Sequence, residues 1–481
     1  MKNQESILEI FGIKILTIRI INTGAKNIYL FSIPFLSIRK SNNITKINLL
    51  ILHRLHIKIK NNYALWSKKR TIDNIIKRNR KKRKDIIKRF KKGEKVKICL
   101  VTERPGNWNF DYLYPLLKKN PQFEVEILVM PDPYRGIENQ IKFQEEAYDE
   151  LVSKGYSPIK GFDYKTGKYF NLKELNPDLI FYTDFGKWHY HNQYYITNFL
   201  NKITFLNDYG YSVMQDEITC NYELNNLVDI YFRQTQFHKK MGQKYMNNSG
   251  KNVIVVGSPK LDVLFDENYK YINVWKKQNK IKKKIIWAPH AANEMPKHMY
   301  QNDGFLALYD FMFNIAQKYQ DKIQVMFRPH PDLHSQICKK WGRQLTDEYY
   351  EKWNQIENGQ YYNGGNIVDS FATSDAMIMD CCSFMAEYTA FDKPLFHTVT
   401  ESSRTNLNEF GEILYENFYT PTNELKEDIE NFIQDVVING NDYKKEQRAQ
   451  FVQQYFGKIN GKTASENIYD EIIKFLEKGE V

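Results

Sequence analysis

The sequence predicts an α/β protein of two parallel-sheet domains meeting at a central cleft, preceded by a basic N-terminal extension. Three observations carry this expectation. From Val96 to Phe396, short β-prone runs alternate with helix-patterned stretches, the order that builds parallel sheets. Polar side chains and turn residues gather just after those runs, where such sheets hold ligands. The 481 residues also exceed one core, at roughly 100–200 residues per domain.

The extension stands apart by charge. Residues 1–92 hold 24 Lys and Arg against 4 Asp and Glu, a net +20 within a chain total of +12, so the rest is acidic. Residues 1–66 read as short strands and contain a repeat, Phe11–Arg19 (FGIKILTIR) and Phe31–Arg39 (FSIPFLSIR). The repeat resembles an N-terminal tag on some bacterial polysaccharide glycosyltransferases. Residues 67–94 read as a basic amphipathic helix, with Ile72, Ile75, Ile76, Ile86, Ile87 and Phe90 at helical spacing. The readings are a solvated linker, a segment (68–92) adsorbed on an anionic membrane surface with Ile and Phe dipping in, or a nucleic-acid arm. The acidic remainder opposes the last, so no nucleic-acid partner is expected. The apolar stretch Ile28–Ile38 contains Pro34 and is too short to span a bilayer, which takes about 20 residues. No signal peptide is visible, and five scattered cysteines suit a reducing compartment. The expectation is a cytoplasmic protein, peripheral at the inner face of the cell membrane.

Residues 95–258 read as the first domain. Val96–Val101 is a strand, Thr102–Trp108 a turn-rich loop, Phe110–Lys119 a helix, and Phe123–Met130 a second strand. Pro115 fits that helix only in its first turn. The loop has one glycine and is no dinucleotide fingerprint. Its Arg104 and Asn107 are candidate acceptor contacts. Strands at Pro177–Tyr182 and Lys202–Leu206 end in Thr183-Asp184 and Asn207-Asp208-Tyr209, and Ile230–Phe232 leads to Thr235 and His238. Gly257-Ser258-Pro259 reads as a hinge.

Residues 259–420 carry the sharper chemistry, and 421–481 read as helices. Three strands end in polar clusters: Lys284–Ala288 in Pro289-His290, Lys322–Phe327 in Arg328-Pro-His330-Pro, and Ala376–Met379 in Asp380-Cys-Cys-Ser383. The prolines flanking His330 restrict its backbone, and an Arg next to a His suits a phosphate. Ser383 opens an expected helix whose N-terminus would favour an anion. Asp380 would orient a His or cap the helix, and Glu387 one turn on would reach a ribose hydroxyl. No Asp-x-Asp pair or HExxH spacing occurs, so the sequence requires no metal and no cofactor beyond the activated donor.

The runs Asp375–Tyr388 with Lys393-Pro394, Phe327–Pro331 (FRPHP), Trp287–His290 (WAPH) and Gly257–Asp262 (GSPKLD) resemble CDP-glycerol glycerophosphotransferases, enzymes of teichoic-acid and capsule polymer synthesis. The resemblance covers roughly residues 200–400. It implies a GT-B-like fold of two Rossmann-like domains. His290 and His330 would be the catalytic or phosphate-contacting pair. Arg328, Ser383 and Phe384 would surround the pyrophosphate, and Glu387 would contact the nucleotide. Asp380-Cys381-Cys382-Ser383 departs from the Asp-Tyr-Ser-Ser of many members, which leaves the donor group open. The function implied is transfer of a glycerol-phosphate or related phospho-alditol unit from a CDP-activated donor to a surface polysaccharide or its lipid-linked precursor. The alternatives are a glycosyltransferase using a UDP- or GDP-sugar, a nucleotide-sugar epimerase, and a non-enzymatic basic binding module. Sequence leaves open the acceptor, the oligomeric state, which histidine is the base, and the role of residues 1–66.

Overall fold

The computed structural model describes residues 4–10, 13–20, 26–30, 33–41, 44–49, 74–75, 77 and 83–479, apart from 185, 216, 291–303, 365–366, 381, 383, 399–406 and 423. The chain divides into two compact units, Met1–Ile75 and Ile76–Val481.

In the first unit β1 (Gln4–Ile10), β2 (Ile13–Ile20), β3 (Lys26–Leu30), β4 (Ile33–Ser41) and β5 (Ile44–Leu49) form an antiparallel meander in sequence order. The sequence repeat maps onto it. Ile13–Arg19 and Ile33–Arg39 lie in the second strands of successive hairpins, β1–β2 and β3–β4. Both hairpins shift register at the equivalent point, Leu8/Glu9 and Ile28/Tyr29. Each copy of the repeat thus supplies the second strand of one hairpin together with its register shift.

The second unit holds two parallel sheets. The first contains β6 (Val96–Thr102), β7 (Phe123–Val129) and β8 (Ile159–Lys160). A small hairpin, β9 (Phe162–Asp163) and β10 (Lys168–Tyr169), interrupts it. It continues with β11 (Leu179–Tyr182), β12 (Ile203–Asn207), β13 (Ile230–Arg233) and β14 (Val253–Val255). Its order is β14-β13-β12-β11-β6-β7-β8. The second sheet contains β15 (Lys283–Ala288), β16 (Ile323–Phe327), β17 (Gly359–Tyr361), β18 (Ala376–Met379) and β19 (Leu395–His397), ordered β17-β16-β15-β18-β19. Strands such as LIFY of β11 and IQVMF of β16 are buried along their whole length, as expected when helices cover both faces.

Local rules explain the helices that matter. The helix after β6 spans Leu113–Lys119, so Pro115 does fall in its first turn, where its missing N–H costs nothing. Gly257 adopts a positive φ of 94°, and the chain turns there into the 3-10 segment Pro259–Phe265. Asp262 of that segment accepts the N–H groups of Ala464 (2.9 Å) and Ser465 (2.8 Å). These open the helix Ala464–Lys478, which also carries a Thr463–Glu466 capping box. Its Ile468, Ile472, Phe475 and Leu476 pack into the core of the first sheet, far back along the chain.

The basic segment requires a correction. Residues 83–91 are helical, but their apolar side does not face outward. Ile86 and Phe90 are buried in the first sheet's core. Arg83 pairs with Asp229, and Arg89 with Asp178. Burial against the domain gives these side chains far more contact than a lipid interface would, so Ile86 and Phe90 are not free to dip into a membrane. Lys84, Lys88, Lys91 and Lys92 remain exposed. The part of the expected helix at 67–73 and 78–82 lies outside the described residues.

Candidate active site

Each sheet reverses its strand order once, between β6 and β11 in the first and between β15 and β18 in the second. At a reversal the loops leaving neighbouring strands diverge to opposite faces, which opens a crevice at the carboxyl ends. Both polar clusters lie at these two points.

In the first domain Glu103 and Arg104 leave β6, Asp132 follows β7, and Thr183-Asp184 leave β11. The Pro105–Asn107 turn brings Asn107 back over Glu103, which its amide contacts at 3.0 Å. Thr183 Oγ1 reaches the same carboxylate at 3.3 Å and Val101 O at 3.1 Å. Arg104 lies between two acids, 3.2 Å from Asp184 Oδ2 and 3.7 Å from Asp132 Oδ2. His189 Nδ1 is 3.0 Å from Asp132 Oδ2. Burial, and then the neighbouring Asp184, push the Glu103 carboxyl up to about 7 against the Asn107 hydrogen bond. Burial alone would raise Asp132 as well, but the His189 hydrogen bond and the charges of His189 and Arg104 hold it below the usual carboxylate range. Asp208, after β12, is taken up by Arg233 and by the Tyr231 hydroxyl at 2.6 Å. His238, which the sequence offered to an acceptor cleft, is buried with both ring nitrogens occupied, by Thr235 Oγ1 (2.7 Å) and Ser212 O (2.8 Å).

In the second domain Asp380, at the end of β18, accepts the His290 backbone N–H from the end of β15 at 2.6 Å. That bond crosses the reversal and fixes the turn on which His290 stands. Burial pushes the Asp380 carboxyl up to about 7, against this hydrogen bond. The His290 and His330 rings lie 4.5 Å apart, centroid to centroid, and His330 N–H donates to Pro289 O at 2.9 Å. Pro289 before His290 and Pro329 and Pro331 around His330 therefore frame one paired turn. Asp332 N–H donates to His330 Nδ1 at 3.2 Å, which places the proton of the neutral ring on Nε2.

Arg328 is nearly buried, with its guanidinium 5.1 Å from the Tyr362 ring and 5.9 Å from the Phe384 ring. Its Nη2 donates to Gly364 O at 2.9 Å, while its buried Nη1 meets no hydrogen-bond partner among the described residues. Burial pushes its pKa down to about 10. A buried guanidinium with an unmet N–H costs about 1–3 kcal/mol, and an anion removes that cost.

Two expectations at this site change. The helix after Asp380 spans only Met385–Thr389. Peptide dipoles add along a helix, so five residues give little of the anion-holding field expected there. Ser383 itself lies outside the described residues. Glu387 is buried, and its Oε1 accepts Tyr211 N–H from the first domain at 3.3 Å. Lys260, from the segment that follows Gly257, donates to Gly106 O of the first domain at 2.9 Å. These groups form the seam between the domains. Tyr209 sits beside the same lysine, its ring 5.8 Å from Lys260 Nζ.

The structure thus brings His290, His330, Arg328, Phe384 and Asp380 together, and Arg104 and Asn107 into the facing cluster. Sequence reasoning did not single out His189 or pair Asp132 with it. Nothing in the spacing joins two residues 57 positions apart. Only the strand-end placement of Asp132 and Asp184 pointed that way.

A comparison with curated proteins finds no match. Among solved structures, the wall teichoic acid polymerase TagF aligns with a TM-score of 0.52 at 13% identity, covering 87% of this chain and 98% of that one. A Listeria monocytogenes protein assigned to the UDP-N-acetylglucosamine 2-epimerases gives 0.51 at 13%, covering 80% and 97%. S. aureus MnaA with UDP gives 0.50 at 14%, covering 79% and 97%. At such identities these likenesses establish the two-domain, GT-B-like α/β fold alone. The sequence profile of one family reaches further, matching residues 189–474, which span β12 to β19, that is, the second sheet and part of the first. With that match over more than half its length, the chain belongs to the CDP-glycerol:poly(glycerophosphate) glycerophosphotransferase family.

Proposed function

We propose that this enzyme moves a glycerol-phosphate, or related phospho-alditol, unit from a CDP-activated donor to a surface polysaccharide or its lipid-linked precursor. The observation that carries the reading is Arg328, buried between two rings with an unmet N–H beside the His290–His330 pair, in a chain of this family. TagF, whose fold is similar, has also been solved after a CDPG soak.

In this reading the acceptor hydroxyl enters from the first domain. Its oxygen attacks the phosphorus that carries the glycerol. The bond from that phosphorus to the CMP oxygen breaks, and CMP leaves with the electron pair. His330 donates Nε2–H to a phosphate oxygen, as its tautomer allows. His290 takes the acceptor proton. Two imidazolium charges so close repel, which favours this division between one donor and one base. Arg328 holds charge on the departing phosphates, and such fixed electrostatics carry most of the catalysis in phosphoryl transfer. Arg104 and Asn107 stand on the acceptor side.

The exposed Lys84, Lys88, Lys91 and Lys92 support attraction to an anionic membrane surface, at roughly 1 kcal/mol per basic residue. Neutral and anionic vesicles distinguish this: co-sedimentation only with the anionic ones, lost at high salt, is the expected outcome.

The test of the reaction is nucleotide release with CDP-glycerol, UDP-sugars and GDP-sugars offered separately with a lipid-linked acceptor extract. CMP release from CDP-glycerol, reduced by about 10²–10⁴ in His330→Ala, is expected. UDP or GDP release instead would move the enzyme to glycosyl transfer.

A further inference from the structure

Beside the first domain's acidic cluster lies an exposed aromatic corner that the reaction above does not use. Tyr134 is 64% exposed and Trp188 is 40% exposed. Tyr134 follows β7 and Trp188 follows β11, and Tyr222 joins them from a third segment. The Trp188 and Tyr222 rings meet at 5.2 Å, nearly perpendicular (86°). Tyr134 and Trp188 lie 6.3 Å apart, tilted by 50°. Tyr134 also meets the His189 ring at 5.5 Å. Large exposed rings converging from three segments have a hydration cost that a monomer usually avoids.

The backbone makes specific room for this arrangement. A Cβ at Gly186 would fall 2.8 Å from the Trp188 ring and 2.9 Å from His189 Cδ2. Glycine therefore lets both side chains fold back over the loop. Its N–H is held by Asp184 Oδ1 at 2.9 Å, so the loop carrying Trp188 is fastened to the acidic cluster itself. Below the rings lie charged groups: His189 on Asp132 (3.0 Å), and Arg104 between Asp132 and Asp184.

We infer that this corner is an acceptor subsite that stacks a pyranose ring of a glycan, an inference resting on the transferase reading above. A pyranose has an apolar C–H face and a rim of hydroxyls. The face matches the aromatic rings, and the rim matches the His189, Asp132 and Arg104 groups beside them. A poly(glycerol phosphate) chain offers no ring face, and its anionic phosphates would meet Asp132 and Asp184. The corner is also placed for an acceptor, because the Pro105–Asn107 turn leaving the cluster accepts Lys260 Nζ at Gly106 O (2.9 Å), and Lys260 lies on the domain seam 5.8 Å from the Tyr209 ring. Tyr134 and Trp188 precede the residues that the family profile covers, whereas His189 and Tyr222 fall within them.

The test uses the full chain and saturation-transfer NMR with two probes, the β-1,4-linked trimer of N-acetylglucosamine and a trimer of glycerol phosphate. Transfer to the pyranose ring protons is expected, with affinity falling at least ten-fold in Trp188→Ala and recovering in Trp188→Phe. His330→Ala should bind the glycan like the parent. Equal binding by parent and Trp188→Ala, or no glycan binding by the parent, overturns the inference. Trp188-dependent binding of the glycerol-phosphate trimer instead, or a Trp188-dependent dimer in sedimentation, overturns it too. Failure of the transferase reading gives a different result: Trp188-dependent glycan binding with no CMP release by the parent.

Discussion

The two strand-order reversals of this protein occupy equivalent places in their sheets yet are furnished differently. At the first, Arg104 lies between Asp132 and Asp184, His189 holds Asp132, and Glu103 is held by the neutral Asn107 and Thr183 side chains. At the second, the arginine meets two rings and a carbonyl, the histidines meet each other, and Asp380 holds backbone. The first site is internally compensated and holds its shape alone. The second carries a buried cation with an unmet N–H among the described residues, which on the reading proposed above meets a substrate phosphate. The same fold can therefore host a hydroxyl-binding half and a phosphate-binding half, and chemistry, not topology, assigns them.

The largest effect that tests this contrast is on rate. Arg328→Ala should cut CMP release by about 10²–10³, the scale for losing one fixed charge at a developing anion. Arg328→Lys should recover only part of it, because an ammonium lacks the flat fork that stacks between Tyr362 and Phe384. Full activity in both variants would remove Arg328 from the donor site.

A second prediction concerns pH. Glu103 and Asp380, one at each reversal, are both pushed up to about 7, chiefly by burial. In the unfolded chain such carboxyls titrate near 4. Between about pH 4 and 7 the folded chain therefore binds more protons than the unfolded one, and stability falls as pH rises through that window. The loss should amount to roughly 3–4 kcal/mol for each group. Urea midpoints at pH 5, 6 and 7 check the direction. Asp380→Asn keeps an acceptor for His290 N–H but cannot ionise, so its slope should be shallower, as should that of Glu103→Gln. Slopes equal to the parent's would show that neither carboxyl changes its protonation on folding.

Much of this contrast was legible before folding. The second site was readable because Pro-His and Arg-Pro-His-Pro place their chemistry within a few residues at strand ends. The first was readable only in part. Arg104, Asn107 and Asp184 stood at strand ends, but the Asp132–His189 contact depends on how β7 and β11 flank β6. The basic helix shows the opposite limit. Its apolar periodicity was visible, but periodicity does not say whether Ile86 and Phe90 meet protein or lipid, and the ion pairs to Asp178 and Asp229 decide that. Likewise Glu387 one turn into a helix looked like a ribose contact, and only the packing of Tyr211 beside it shows the domain seam.

A smaller effect probes the compensated half. Arg104→Ala leaves Asp132 and Asp184 buried without their shared cation, and removing one partner from such a pair costs about 3 kcal/mol. A denaturation midpoint measures it. Arg104→Ala with Asp184→Asn should recover part of the loss, because one of the stranded charges is gone. A double variant as unstable as the sum of the two singles would mean that the groups do not interact.

The smallest expected effect is that of chelation. The carboxylates able to hold a divalent cation in the cleft, Asp132 and Asp184, already hold Arg104, and Asp132 also holds His189. A metal would have to displace a guanidinium that lies largely buried between the two carboxylates. At the second reversal each histidine could offer one ring nitrogen, but among the described residues no third His, Cys, Asp or Glu joins them to complete a metal site, and the Arg328 guanidinium repels a cation. We therefore expect CMP release to be unchanged after exhaustive treatment with EDTA. A rate that falls and returns with added Mg²⁺ would mean that the acids at the first reversal exchange Arg104 for a cation when substrate arrives. The two halves would then differ in which of them recruits a counter-charge, and the compensated site would be the one that opens.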